Sequence, residues 1–179
     1  CSYTLDLDAS PWGLGGILSE GDAPVEWYAD ALTDADCQRY ACARGDASGQ
    51  QIWGTLNALV AFRLWRSFLL NDQATLRVRG DSVTLTELVI RLRPPTNSPG
   101  LGLIAREWAL DLADLPALPL VSAHVPGVAN VQPDLLSRRF VPAADESEVQ
   151  PVAWQPPASL RRLRQREPPA RDEGWYRTL

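Results

Sequence analysis

The sequence predicts one α/β domain built on a mixed β-sheet and followed by a proline-rich tail. Three observations lead to this fold class: residues alternate near the start, a later stretch is apolar nearly all round, and the elements follow the order strand, strand, strand, helix, strand, helix, helix, strand, helix. The chain has 179 residues, enough for one ordinary domain with a tail. Apolar residues make up 45% of it, which suffices for a core.

The first third predicts an antiparallel meander. Residues 2–8 alternate, with Tyr3, Leu5 and Leu7 on one face, which is typical of a strand. We expect "PWGLGG" to be a turn, and "ILSE" and "PVEWYA" to be two further short strands. Residues 30–49 are polar, and we expect an irregular connection there.

A long buried helix is predicted over residues 48–70. Ser48 is its expected N-cap, because Gln51 follows three residues later as in a capping box. Trp53 and Trp65 are expected in the core rather than on a base-stacking platform. Gly54 is unusual in the first turns, since glycine inside a helix costs about 1 kcal/mol relative to alanine.

The second half predicts alternating strands and helices. "ATLRVRG" is a strand, "SVTLTELVIRL" a short helix, "RPPTNSPG" a loop, "LGLIAREWALDLADL" a helix and "LPLVSAHV" a last strand. "PGVANVQPDLLSRRF" is a loop that leads into a final helix, where Pro133 is acceptable in the first turn. We therefore expect a folded domain over residues 1–141.

Residues 142–179 differ in composition, being rich in proline and in blocks of charge. We expect a poorly ordered tail or linker there. It contains four arginines that could touch a phosphate backbone, although a solvated linker is the preferred interpretation: Arg161, Arg162, Arg164 and Arg166.

Charge, cysteine content and the length of the apolar runs argue against several classes of protein. All 17 basic residues are arginine, and a net charge of −5 disfavours non-specific nucleic-acid binding without excluding a local basic patch. Cys1, Cys37 and Cys42 with a single histidine disfavour a structural zinc site and indicate reduced intracellular thiols. No apolar run is long enough for a bilayer, so no membrane partner is expected. Because the chain starts at a cysteine and contains no methionine, we expect a fragment of a longer polypeptide.

Three acidic residues stand at the ends of predicted elements. Asp8 closes the first strand, Asp81 follows the fourth, and Asp134 lies in the last helix. Carboxylates bind Mg²⁺, and two metal ions about 3.5–4 Å apart can activate a water and stabilise a leaving oxygen. Three acids among 22 are by themselves also compatible with solvated surface residues. A nucleotide-binding loop at "GLGG" is disfavoured, because the full G-x-G-x-x-G pattern is absent.

The sequence motifs around these acids resemble those of a known protein family. "LDLDASPWGLGGIL" resembles the opening of the ribonuclease H domains of reverse transcriptases, and "HVPGVANVQPDLLSR" resembles their close. "VRGDSVT" looks like their middle acid, and "LVAFRLWRSFL" like the back half of their first helix. The likeness covers about residues 2–140 and is greatest to the gypsy-type LTR-retrotransposon polyproteins. It implies a ribonuclease H-like three-layer fold, with a mixed five-stranded sheet and helices on both faces.

The resemblance also implies roles for particular residues. Asp8 would bridge two Mg²⁺ ions, with Mn²⁺ as a possible substitute, and Asp81 and Asp134 would each hold one. His124 looks like the mobile histidine that helps proton transfer or product release, and Asn130 like the residue that shapes the loop before the last acid. The family usually has alanine where this chain has Pro133.

Gly54 is the main departure from the family. In the family, the second catalytic acid is a glutamate that lies about eleven residues before a Trp-Arg pair. Trp65 and Arg66 form that pair here, so the glutamate position corresponds to Gly54. The resemblance implies that one metal site, much of the catalysis and a contact to the RNA 2′-hydroxyl are weakened.

Other acids could substitute for the missing glutamate. Asp6 could approach a metal through water, and Glu87 and Glu107 lie on later helices where surface or arginine-paired roles are preferred. Asp46 is expected to be a loop or cap residue.

The resemblance implies metal-dependent hydrolysis of the RNA strand of RNA–DNA hybrids, and Gly54 implies that the activity of this copy is impaired. The expected partners are the hybrid and a polymerase domain in cis, in the cytoplasm, the nucleus or retroelement particles. The alternatives are a non-catalytic scaffold or nucleic-acid-binding domain of the same polyprotein and, last, an unrelated nucleotide-binding α/β protein.

Overall fold

The computed structural model describes residues 2–70, 75–80, 99–114, 120–124, 130–142 and 154–179, with the backbone alone for 120–124. Within these ranges the strands are β1 Ser2–Ala9, β2 Gly13–Glu20, β3 Ala23–Ala31, β4 Thr75–Gly80, β5 Leu120–His124 and β6 Arg164–Gln165. The α-helices are α1 Asp34–Tyr40, α2 Gln50–Leu64, α3 Arg66–Leu70, α4 Pro99–Ala113 and α5 Val131–Ser137, and two 3₁₀ turns cover Ala47–Gly49 and Ala158–Leu160.

The strands form one mixed sheet in the order β5-β4-β1-β2-β3-β6. β1, β2 and β3 are antiparallel neighbours, whereas β4 is parallel to both β1 and β5. The predicted meander and mixed sheet are therefore confirmed. The sixth strand is a two-residue addition from the tail, parallel to β3. The predicted turn at "PWGLGG" is wrong in its second half, because "GLGG" lies within β2.

Side chains along β1 alternate between two packed layers, one on each face of the sheet. Leu5 and Leu7 face the main core, which α2 and α4 complete with Trp53, Trp65 and Trp108. The opposite face carries a second core, in which Ile17 and Trp27 of the sheet pack against Leu136 of α5 and Leu160 of the tail. Helices thus cover both faces of the sheet, as expected, and both tryptophans of the long helix are core residues.

The long helix differs at both ends from the prediction. It begins at Gln50, after a 3₁₀ turn whose N-cap is Asp46, which accepts a 2.9 Å hydrogen bond from the Ser48 N–H. The helix ends at Leu64, and α3 follows after Trp65. Ser48 is therefore not the N-cap of α2, while Asp46 is the cap residue expected.

The connection before this helix is more regular than its polarity predicts. β3 continues to Ala31, and α1 follows with a capping box in which Thr33 accepts from the N–H of Asp36 and the Asp36 carboxylate accepts from the N–H of Thr33. The expectation of an irregular segment over 30–49 is wrong there, because this capping signal went unused.

The remaining predicted elements agree within a few residues where they can be compared. β4, α4, β5 and α5 correspond to the predicted strand, helix, strand and final helix. The predicted helix "SVTLTELVIRL" lies outside the described residues. Among the helices described, none is long and apolar enough to cross a membrane.

Residues 154–179 form a strap that crosses the β3 edge of the sheet. Arg171 is its main anchor, since its buried guanidinium donates to Asp36 at 2.7 and 2.9 Å and to Asp30 at 2.5 Å. Tyr176 enters the main core and pairs with the Tyr40 hydroxyl at 2.9 Å. Composition predicts a poorly ordered tail over residues 142–179; within the described part of that range, charged residues of the strap find buried partners in the domain.

Candidate active site

Two of the predicted acids lie on elements that pack together, β1 and α5. Asp8 is 6% exposed and faces α5, which carries Asp134. The Ser137 hydroxyl lies 2.9 Å from Asp8 Oδ2 and 2.8 Å from the backbone carbonyl oxygen of Asp134, one turn earlier in the same helix. Asp8 therefore contacts the helix that carries Asp134.

A glycine in β2 allows α5 to approach this closely. Gly15 is the register partner of Asp8, and a Cβ built on it would lie 2.7 Å from Leu136 Cβ and 2.8 Å from both Pro133 O and Ser137 N. Two of these neighbours are backbone atoms that cannot rotate away. The glycines of "GLGG" therefore serve packing in a strand, and this argues against a nucleotide-binding loop.

Polar side chains fix both ends of α5 on the sheet. Asn130, the N-cap residue, is buried and donates from Nδ2 to the Leu7 carbonyl at 3.1 Å. At the other end the Ser10 hydroxyl donates to the Ser137 carbonyl at 2.7 Å. The placement of Asn130 fits the loop-shaping role that the family resemblance implies.

A guanidinium stands beside the acid pair. Arg138 Nε donates to Asp134 Oδ1 at 2.8 Å, and both groups are partly exposed. The hydrogen bond and charge of Asp134, and more weakly the charge of Asp8, raise the pKa of Arg138. Since the pair is solvated, it contributes only about 0–1 kcal/mol to stability. Its main effect is to offset negative charge at the acids.

A buried amide holds the backbone beneath Asp8. Asn57 of α2 donates from Nδ2 to the Asp8 carbonyl at 2.9 Å and to the Gly15 carbonyl at 2.8 Å, across the two strands. Its Oδ1 accepts from the Tyr28 hydroxyl. Burial, followed by the charge of Asp30, raises the pKa of Tyr28 well above its usual range, so Tyr28 remains a donor at neutral pH.

Sequence reasoning missed both Asn57 and Ser137. A single amide within the apolar run "TLNALVAF" is a usable signal, because buried polar groups need partners. The partners themselves could not be inferred, since Ser137 reaches Asp8 across 129 positions of sequence.

Gly54 lies between two residues that contact the end of β1. Gln50 and Asn57 are one turn before it and about one turn after it on the same face of α2. Gln50 Nε2 donates to the Ala9 carbonyl, and Asn57 reaches Asp8. The Gly54 position therefore faces the strand end that carries Asp8, and no side chain projects from it.

The alternative acids that the structure describes are already engaged. Arg79 donates to both carboxylate oxygens of Asp6, at 2.7 and 2.9 Å. Glu107 is fully buried on α4, on the other side of the sheet, where it accepts from Arg63 at 2.6 Å and from Thr178. Glu107 is therefore not available as a ligand beside Asp8, and Asp6, like Asp134, is paired with an arginine. Glu87 lies outside the described residues.

The other predicted site residues are only partly described. Asp81 lies outside the described residues, and His124 is described by its backbone alone. Gly80, which precedes Asp81, pairs with His124, and Arg79 pairs with Asp6 in the neighbouring parallel ladder. The carboxyl ends of β1, β4 and β5 thus meet at one edge of the sheet.

The available donors suit a hard cation. Asp8 and Asp134 offer carboxylate oxygens, the ligand type that Mg²⁺ prefers. Within the described ranges no group of three or more His, Cys, Asp or Glu side chains forms a metal cluster. A cavity of about 470 Å³ lies on the α5 side of the sheet, with the Asp6–Arg79 pair and Gln132 in its lining, and neither Asp8 nor Asp134 lines it. The residues fit Mg²⁺ in chemistry, with two ligands described.

Solved structures with a similar fold are ribonucleases H1. LC11-RNase H1, isolated from compost by a metagenomic approach, has a TM-score of 0.54 and 15% identity, over 78% of this chain and 94% of that chain. RNase H1 from the halophilic archaeon Halobacterium salinarum NRC-1 has a TM-score of 0.53 and 16% identity, over 75% of this chain and 92% of that chain. LC11-RNase H1 in complex with an RNA/DNA hybrid has a TM-score of 0.48.

At these identities the comparison shows the fold: this chain has the ribonuclease H-like fold. A scan against protein-family models finds no match. A search of curated proteins finds no significant match either. What the domain does must therefore be argued from its own site.

Proposed function

We propose that this chain is a ribonuclease H domain of a retroelement reverse transcriptase polyprotein, acting on the RNA strand of RNA–DNA hybrids, and that Gly54 impairs its activity. The observation that carries the proposal is that Asp8, on a ribonuclease H-like sheet, is hydrogen-bonded by Ser137 of the helix that carries Asp134. The polyprotein context is supported by the motif resemblance alone, as are a polymerase domain in cis and an intracellular location.

Asp8, Asp81 and Asp134 would hold Mg²⁺, or Mn²⁺ in its place. When bound, such ions supply activation of a water and stabilisation of the leaving oxygen. Hydrolysis joins the water oxygen to phosphorus and breaks the bond to the 3′-oxygen, which leaves as a hydroxyl.

The chain's own residues hold the acids in position. Ser137 hydrogen bonds the Asp8 carboxylate, and Asn57 fixes the Asp8 backbone, so this acid is preorganised. Arg138 balances the charge of Asp134 until substrate or metal competes for that carboxylate. His124 would move a proton during product departure, as the resemblance implies.

Gly54 removes one negative charge and one oxygen ligand from this arrangement. A glutamate at that position would project from the face of α2 that contacts the end of β1. Glu107 does not compensate, because it is buried on the other side of the sheet, whereas Asp6 would have to give up its pair with Arg79, as Asp134 would its pair with Arg138. The proposal therefore places the defect at the binding of one metal and at recognition of the RNA 2′-hydroxyl.

A non-catalytic scaffold is the second candidate function. The same glycine favours it, and so does the guanidinium already bound to Asp134. In that case the domain would bind hybrid, or a neighbouring polymerase domain, without cutting.

The test is cleavage of an RNA–DNA hybrid with Mg²⁺ and with Mn²⁺, using Asp8→Asn as the matched control and duplex DNA as the control substrate. Slow, metal-dependent cutting that Asp8→Asn abolishes supports the nuclease. Absence of cutting, together with no saturable Mg²⁺ binding by calorimetry, assigns the domain to the scaffold function.

A further inference from the structure

Some of the arginines that the structure describes have no carboxylate partner among the described residues. Acidic residues outnumber arginines by 22 to 17, so a shortage of carboxylates does not explain an unpaired guanidinium. Nine of the described arginines have a carboxylate oxygen within 4.0 Å. Among the residues described, the arginines that do not are Arg39, Arg77, Arg106, Arg139, Arg161 and Arg162.

Four of these arginines lie on the α5 side of the sheet, because Arg77 shares a strand face with Arg79. The three that belong to the end of α5 or to the strap are called the arginine surface: Arg139, Arg161 and Arg162. The 3₁₀ turn Ala158–Leu160, which precedes two of them, is fixed to α5 by a 2.5 Å hydrogen bond between Gln132 and Ser159. The Trp27 indole N–H donates to the Leu160 carbonyl at 3.0 Å. The strap therefore presents these arginines from a fixed position.

Arg139 connects this turn to the end of α5. Its guanidinium carbon lies 4.8 Å from the ring centroid of Trp154, and Trp154 packs on Trp27. The residue before it, Arg138, pairs with Asp134. The arginine surface thus begins at the border of the candidate site and continues away from the acids along the strap.

Arg161 and Arg162 of the strap make few polar contacts with the described part of the protein. Arg161 makes a single exposed hydrogen bond, from Nε to the Pro156 carbonyl at 3.1 Å. Arg162 is exposed and makes no hydrogen bond or ion pair with the part of the chain that the structure describes. Guanidinium donors left free in this way match the geometry of phosphate oxygens.

We infer that the arginine surface binds the phosphodiester backbone of the nucleic acid whose strand enters the candidate site. This inference rests on the proposed function, because that function identifies the polyanion. A chain of net charge −5 repels a polyanion at long range, so binding needs a local cluster of free cationic groups. The strap would then be part of the substrate-binding surface as well as of the fold.

The test is the salt dependence of hybrid binding, measured by fluorescence anisotropy in EDTA without divalent metal. Each phosphate contact contributes about 0.9 to the slope of log affinity against log salt. If Arg161 and Arg162 each contact one phosphate, the wild-type chain loses about tenfold more affinity than R161Q/R162Q between about 50 and about 200 mM salt.

The matched control is R39Q/R106Q. It removes two unpaired guanidinium groups from α1 and α4, and α4 packs with the core on the opposite face of the sheet. We expect the wild-type slope from this control. Equal slopes in all three proteins, or equal changes in both double variants, would overturn the inference, and so would absence of binding.

The same measurement separates this inference from the proposed nuclease. Binding with the expected slopes, in a protein that does not cut even as Gly54→Glu, keeps the arginine surface and rejects the nuclease. Cutting without any effect of R161Q/R162Q does the reverse. Equal affinity for a polyglutamate peptide would assign the surface to an acidic protein partner and contradict the inference.

Discussion

Single residues decide how closely α5 can approach the sheet. Gly15 has the closest neighbours that matter to the site, because a Cβ there would meet backbone atoms of Pro133 and Ser137 at 2.8 Å. Both residues flank Asp134 in α5, so displacement of the helix displaces the acid.

Gly15→Ala is therefore expected to destabilise the fold by about 1–3 kcal/mol, as overpacking of a core does. The control is Gly102→Ala on α4, where the added Cβ meets only Arg106, at 3.7 Å, and removing a helical glycine stabilises by about 0.5–1 kcal/mol. Urea denaturation of the two variants measures both effects. A Gly15→Ala protein as stable as the wild type would show that α5 packs farther from β2.

The sequence predicts which acidic residues belong to the candidate site but not the contacts that hold them in place. Motifs identify Asp8 and Asp134 as candidate metal ligands, and the structure places Asp8 against the helix that carries Asp134. Their metal-binding roles stay predictions. Asn57 and Ser137 were missed, because a hydrogen bond between residues 49 or 129 positions apart leaves no periodic signal in the sequence. Placement of Asp8 depends on both.

Elements are predicted where periodicity is strong; the two that were missed are α1, which has a local capping signal, and the strap, whose partners are distant in sequence. β1 alternates clearly, and its register follows from that alternation. α1 was missed although Thr33 and Asp36 carry a capping signal. The strap was missed because proline and charge normally indicate disorder, whereas its arginines bind buried carboxylates from far along the chain.

The anchor of the strap gives a prediction at this scale. Arg171→Leu leaves Asp36 buried without its cation, and breaking a buried pair in this way costs about 3–5 kcal/mol. Arg44→Leu, which breaks the exposed pair with Asp34, serves as control and should cost less than about 1 kcal/mol. Equal urea midpoints for these two variants would show that the strap does not contribute to stability.

The buried carboxylates of Asp36 and Glu107 also make the stability of the fold depend on pH. Burial alone would raise the pKa of Asp36 and of Glu107, but hydrogen bonds from Arg171 and from Arg63 respectively outweigh burial and lower both. Because the folded-state pKa values lie below the unfolded ones, their contribution to stability is present above about pH 4 and disappears as pH falls through the folded-state values.

Unfolding free energy should therefore decrease steeply below about pH 4. In Glu107→Gln part of this decrease is absent, since the titrating group is gone, although the variant is less stable at neutral pH. Urea titrations at several pH values measure both slopes. If the unfolding free energy decreased equally with falling pH in the two proteins, the assignment of this pH dependence to Glu107 would be contradicted.

At the scale of the whole molecule, sheet, helices and strap produce one edge where the carboxyl ends of β1, β4 and β5 meet. That edge carries Asp8 and faces the Gly54 position of α2. The described part of this edge has the strand arrangement of the ribonuclease H-like fold, and under the proposed function one metal ligand is missing from the helix that faces Asp8.

The most direct test of this account is the hybrid-cleavage rate of Gly54→Glu relative to the wild-type chain, in Mg²⁺ and in Mn²⁺, with Gly54→Gln as the uncharged control of equal size. We expect Gly54→Glu to cut at least about 100-fold faster, the range that positioned catalytic groups contribute, and Gly54→Gln to stay at the wild-type rate. A wild-type chain that cuts as fast as Gly54→Glu would contradict the account, because the second acid would then lie elsewhere.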